Sequence, residues 1–142
     1  MLNNLRQYLG LGKGDRRLLV ECWWELLLAA IRVRLFPHWL SAPRNPGPPT
    51  SSYSVPNILR YVNVAASRHF KHMSCLERAV AGQRVLMRHG WPSQIEIGVR
   101  REAGTLEAHA WLCVSGERYD TRADEFVPMR PVHAVPDARY DR

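Results

Sequence analysis

The chain has 142 residues, 46% of them hydrophobic, with 10 prolines and a formal charge of +7. That length suits one small domain, and the apolar fraction excludes disorder over most of it. Only Lys13 and Lys71 are lysine, the other eighteen basic residues being arginine, and no basic run exceeds two; the clustered basic face with stacking aromatics that marks nucleic-acid binding is therefore not expected.

In chain order, the first periodic segment runs from Leu18 to Leu35. Leu18, Leu19, Cys22, Trp23, Leu26, Leu27, Ala30 and Ile31 recur at helical spacing and predict a long amphipathic helix. Glu21, Glu25, Arg32 and Arg34 interrupt it, so it falls short of the roughly 18 uncharged apolar residues that a membrane span needs. It also sits too far into the chain, with acidic residues inside it, for a signal peptide, and a cytoplasmic location is expected. Residues 1–40 are read as an N-terminal helical extension whose apolar face folds back on the rest of the chain or docks on a partner, in preference to a membrane surface, because Glu21 and Glu25 lie within it. Residues 41–52, SAPRNPGPPTSS, hold four of the ten prolines and are read as a linker.

Residues 53–128 form the expected main domain. Within PNILRYVNVAASRHF, Pro56 suits a first helical turn, and Ile58, Leu59, Val62, Ala65 and Ala66 make one apolar face. A further helix is predicted from Cys75 to Met87, stopped by His89-Gly90 and Pro92. The period then changes to two. Ile95, Ile97 and Val99 alternate with polar residues or glycine before a turn at Glu102-Ala103-Gly104. From Leu106 to Val114 the apolar set Leu106, Ala108, Ala110, Leu112 and Val114 alternates with Glu107, His109, Trp111 and Cys113. Ser115-Gly116 predicts a two-residue hairpin turn into a short strand over Arg118-Tyr119-Asp120. From Val127 onward the prolines at 128, 131 and 136 suggest irregular chain, with residues 129–142 as a tail. Helices packed on a small antiparallel sheet make an α+β domain.

Cys22, Cys75 and Cys113 form no C-x-x-C pair, which argues against a disulfide framework or a cysteine-rich metal site. No metal or other cofactor is expected. Ser74-Cys75-Leu76-Glu77 has the spacing of a capping box, which puts Cys75 at the first helical position. Free backbone N–H groups and the positive end of the helix dipole favour a thiolate there, the placement that a cysteine nucleophile requires. His109 on its strand is the candidate base. If Ser115 and Gly116 form a two-residue turn, Val114 faces Glu117, and Asp120 lies diagonal to His109 within side-chain reach. Cys75, His109 and Asp120 are thus the candidate Cys-His-Asp set. Cys113, four residues or about 13 Å along the strand from His109, is too far to share its proton and is read as core. Trp111 is a candidate substrate-binding residue that either shields His109 from water or fills space between helix and sheet. His69 and His72, in the loop before Cys75, are candidate substrate contacts or ordinary loop histidines.

Cys75-Leu76-Glu77-Arg78-Ala79, Leu86-Met87-Arg88-His89-Gly90, Ile97-Gly98-Val99-Arg100, Ala108-His109-Ala110-Trp111-Leu112 and Tyr119-Asp120, in this order and spacing, resemble the transglutaminase-like leader peptidases of lasso peptide biosynthesis. The resemblance covers roughly Pro56 to Phe126, and the helix before the linker is similar to that family's N-terminal extension. It implies a transglutaminase-like, papain-like cysteine protease core that corresponds to the protease half of the split B protein, with no room for a leader-recognition domain. The implied activity is removal of the leader from a lasso precursor peptide, which frees the core's N-terminal amine. The implied partners are the precursor, a separate leader-recognition protein and an asparagine-synthetase-like lasso cyclase. Two other classes fit the same residues: a transglutaminase-like acyl transferase, in which an amine rather than water resolves the thioester, and a non-catalytic precursor-binding module.

Overall fold

The computed structural model describes residues 12–35 and 52–129. Helix α1 spans Lys13–Leu35, a turn longer at its start than the apolar periodicity alone indicates. Helix α2, Val55–Ser67, starts with Pro56 in its first turn and ends before the predicted Phe70, where the Arg68 N–H turns back onto Ala65. Helix α3, Cys75–Arg88, begins at the capping box and stops where Gly90 adopts φ +82°.

Four antiparallel strands follow: β1 (Ser93–Glu102), β2 (Thr105–Val114), β3 (Glu117–Arg118) and β4 (Val127–Pro128), in the sheet order β3-β2-β1-β4. β1 and β2 form a ten-residue hairpin from Ser93↔Val114 to Glu102↔Thr105. Val114 pairs with Glu117 as the two-residue turn requires, and both Ser115 (φ 52°) and Gly116 (φ 84°) are left-handed, as type I′ geometry demands. Two expectations are corrected. β3 ends at Arg118 instead of running to Asp120, because Asp120 takes part in a turn, its carboxylate accepting from the Arg122 N–H. The chain from Val127 is not irregular at its start: Val127 and Pro128 pair with Val99 and Gly98, and Pro128, which lacks an N–H, is tolerated on this edge strand.

One core joins the three helices to one face of β2. Leu18, Cys22 and Leu26 of α1, Ile58 and Val62 of α2, Val85 and Leu86 of α3, and Ala110, Leu112 and Val114 of β2 all belong to it. The helix read as part of an extension thus packs within the same core as the helix that starts at Cys75. A buried carboxylate reinforces the contact. Glu25 of α1, 4% exposed, pairs with Arg32 at 3.3 Å, with Arg84 of α3 at 3.0 Å and with Arg88. Leu106 and Ala108, expected on the buried face of β2, are exposed, because the helices cover only the second half of that strand. The opposite face carries a small second cluster of Trp111, Ala123 and Phe126. The linker at 41–52 and the tail at 129–142 lie, but for Ser52 and Met129, outside the described residues. No described helix is long and apolar enough to cross a membrane.

Candidate functional site

The site is assembled from the start of α3, the middle of β2 and the turn after β3. At the start of α3 the capping box is complete: the Glu77 N–H donates to Ser74 Oγ (3.2 Å) and the Ser74 N–H donates to Glu77 Oε2 (2.8 Å). Lys71 Nζ donates to the other Glu77 oxygen at 2.6 Å. Burial pushes the Glu77 carboxyl up, but the bonds from Lys71 and Ser74 outweigh it and hold the group below the usual carboxylate range. Cys75, half-buried, is the first residue of the helix that this box fixes.

A cleft of about 420 Å³ opens beside it, and Cys75, Arg78, His109 and Asp120 all line it, with Leu59 and Val62 of α2 opposite. His109 Nε2 lies 2.9 Å from Asp120 Oδ2. A carboxylate oxygen accepts, so the contact suits the tautomer with the proton on Nε2 and the lone pair on Nδ1. The second Asp120 oxygen accepts from the Arg122 N–H at 2.7 Å, and the Tyr119 N–H donates to the Leu112 carbonyl at 2.9 Å. Both carboxylate oxygens and the backbone before them are therefore held, and the aspartate has a fixed direction toward the imidazole. The side chains of His109 and Asp120 are only 14% and 25% exposed.

Behind His109 stands the second cluster. The Phe126 ring is 5.2 Å and the Trp111 ring 6.1 Å from the imidazole, centroid to centroid. Trp111 Nε1 donates to Glu96 Oε2 at 2.7 Å. Gly98 pairs with His109 in the sheet, and a Cβ there would lie 2.5 Å from the Trp111 ring and 2.8 Å from Phe126, so only glycine lets both side chains close over β1. Trp111 does not fill space between helix and sheet; it lies on the far face of β2, 2% exposed.

Cys113 is half-buried and belongs to neither cluster, in contrast to its core reading, because the cover from Ala123 and Phe126 reaches Trp111 only. Cys22 is fully buried, and burial, aided by Glu21, pushes its thiol up to about 12. Exposed His72 lines the cleft, whereas His69 stacks on Trp23 with ring centroids 4.8 Å apart. Arg78, Glu107, Arg122 and Phe126 complete the surroundings; Arg78 belongs to the Cys75-to-Ala79 motif and lies one helical turn after Cys75, whereas the other three carry no recognisable signal in sequence. Among the described residues no group of three His, Cys, Asp or Glu side chains is arranged to hold a metal ion.

Three helices on one face of an antiparallel sheet, with Cys75 at a helix start facing a histidine strand, define the class as a mixed α+β domain of transglutaminase type. A family model described as the transglutaminase-like superfamily matches residues 18–131, and the chain belongs to that superfamily. The match begins within α1, so this helix is part of the family domain. Membership is compatible with cysteine protease or acyltransferase chemistry. Comparison with curated proteins and with solved structures gives no match.

Proposed function

We propose that the protein is a cysteine peptidase of the Cys-His-Asp type that removes the leader from a lasso precursor peptide. The observation that carries the chemistry is the 2.9 Å His109–Asp120 contact in a cleft shared with Cys75 at the first position of α3. Asp120, fixed by the Arg122 N–H, accepts from Nε2 and leaves Nδ1 as the base. Nδ1 takes the Cys75 proton as sulfur attacks the scissile carbonyl, and the backbone N–H groups at the helix start face the developing oxyanion. The imidazolium then returns the proton to the leaving amine, which departs as the freed N-terminus of the core. Water, activated by the same Nδ1, hydrolyses the thioester and restores the thiol.

The substrate rests on the motif resemblance, and it brings the partners with it. A leader-recognition protein would present the precursor and raise the local concentration of the scissile bond, and an asparagine-synthetase-like cyclase would use the released amine. Mass spectrometry of the neighbouring-gene precursor incubated with the protein and the leader-binding partner tests the reading. Cleavage between leader and core by wild type, and none by Cys75→Ala of unchanged circular dichroism, is expected. Full cleavage by Cys75→Ala would refute the nucleophile assignment. A product carrying an added amine in place of the new carboxylate would move the protein to the acyl transferases.

A further inference from the structure

Arg78 lies three residues after Cys75 on α3, hence on the same side of the helix, and lines the cleft with Cys75 and His109. The other charges there are engaged with each other. Asp120 is held by His109 and the Arg122 N–H. Glu107 is paired with Arg100 at 2.7 Å and Arg122 at 3.0 Å. The later arginines of α3, Arg84 and Arg88, serve Glu25. Arg78 makes no ion pair among the described residues, and its Nε is buried with no hydrogen-bond acceptor. A buried donor of a charged group without an acceptor is an unfavourable state that folds rarely retain, and a guanidinium is shaped for the two oxygens of a carboxylate. An anion entering this cleft meets an unpaired cation one helical turn from the thiol.

We propose that Arg78 is the substrate-recognition residue of this cleft and takes a carboxylate of the bound peptide beside the bond that Cys75 attacks. That a bond is cut rests on the peptidase reading; the carboxylate preference rests on the cleft alone. The carboxylate belongs to an Asp or Glu side chain or to a peptide C-terminus, and the experiment separates the two.

Iodoacetate and iodoacetamide both alkylate a thiolate with loss of iodide and differ in carrying a carboxylate or an amide. Their rate ratio at Cys75, read by mass spectrometry on the intact chain, cancels any effect of Arg78 on the thiolate itself. The same ratio at Cys113 and at free glutathione corrects for the positive charge of the whole molecule. The corrected ratio at Cys75 should favour iodoacetate several-fold in wild type, keep that preference in Arg78→Lys and lose it in Arg78→Gln. N-acetyl-aspartate amide should protect Cys75 from iodoacetamide where N-acetyl-asparagine amide does not. Protection by N-acetyl-alanine alone would assign the site to a C-terminal carboxylate. A wild-type ratio equal to that of glutathione overturns the proposal even if Arg78→Gln fails to fold, as does a preference that survives in folded Arg78→Gln. Because neither readout needs turnover, carboxylate preference without precursor cleavage would refute the peptidase reading alone, and cleavage with a flat ratio would refute the role of Arg78 alone.

Discussion

Gly98 shows how one residue away from the cleft governs it. The space that a Cβ would need is taken by the Trp111 ring at 2.5 Å and by Phe126 Cβ at 2.8 Å. The latter sits next to backbone and cannot swing aside, so Gly98→Ala must displace the cluster that backs His109. Overpacking of this kind costs about 1–3 kcal/mol. Urea unfolding should show that loss, and cleavage by the folded fraction should fall further than stability does, because the displaced rings touch the imidazole. A variant with full activity and the expected loss of stability would mean that the cluster does not position His109. The sequence holds half of this relation. A glycine among Ile95, Ile97 and Val99 signals a close approach, but the approaching Phe126 comes from a segment with no periodic pattern. The placement of Cys75 at a helix start and of His109 on a strand was legible for the opposite reason, since a local pattern sets each: a capping box in one case and strict alternation in the other.

Among the elements, α3 depends on its first turn. The Glu77 carboxyl is held below its unfolded value, so its contribution to stability is present above the usual carboxylate range and is lost as pH falls through the lowered folded value. Ser74→Ala should cost about 1 kcal/mol by chemical denaturation at neutral pH. Glu77→Gln should flatten the decline of stability in acid, and an unchanged acid limb would show that the box contributes nothing there. The β1–β2 turn is less well suited to its residues. Ala103 is left-handed at φ 46° ahead of Gly104 at φ 84°, a conformation that asparagine adopts more readily than alanine. Ala103→Asn should raise stability by roughly 0.5–1 kcal/mol in thermal or urea unfolding, with the register untouched. Helix and strand types were readable from their periods, and the Ser115-Gly116 turn fixed the β2–β3 register. Two-residue strands such as β4 have too few positions for a period, and their pairing is set by what lies beside them.

For the whole molecule, the decisive fact is that α1 lies inside the core. Leu26 has no exposed surface, and Leu26→Ala should cost about 2–5 kcal/mol. A chain starting at residue 52 should fail to show cooperative unfolding, whereas the full chain should unfold in one transition; a cooperative truncated chain would mean that the helix is dispensable. The sequence showed that α1 has an apolar face but not what covers it, because an amphipathic stripe is the same for an intramolecular or an external partner and residues 41–52 carry no pattern that settles the direction of return. The charge pattern is more informative. Glu25 falls among the apolar positions of the helix, and a buried carboxylate demands cations, which Arg84 and Arg88 of α3 supply. The α+β class was legible from the order of periods alone.

The anchoring of the chain after β3 has a dynamic consequence. Asp120 and Phe126 reach His109 from a stretch that leaves the sheet at Arg118 and rejoins it only at Val127 and Pro128, with Met129 N–H on the Ile97 carbonyl as its last tie. The three helices, by contrast, share a single core. Free energies of local opening follow such differences in buried contact, so the stretch from 119 to 129 should open below the cost of global unfolding. Its amides should then exchange with solvent ahead of those in α3, and hydrogen exchange read by mass spectrometry checks this. In each opening His109 loses its acceptor and its aromatic backing while Cys75 stays on an intact helix. On the proposed roles, the half of the site that attacks outlasts the half that moves the proton, and activity should be lost on heating before the molecule unfolds globally.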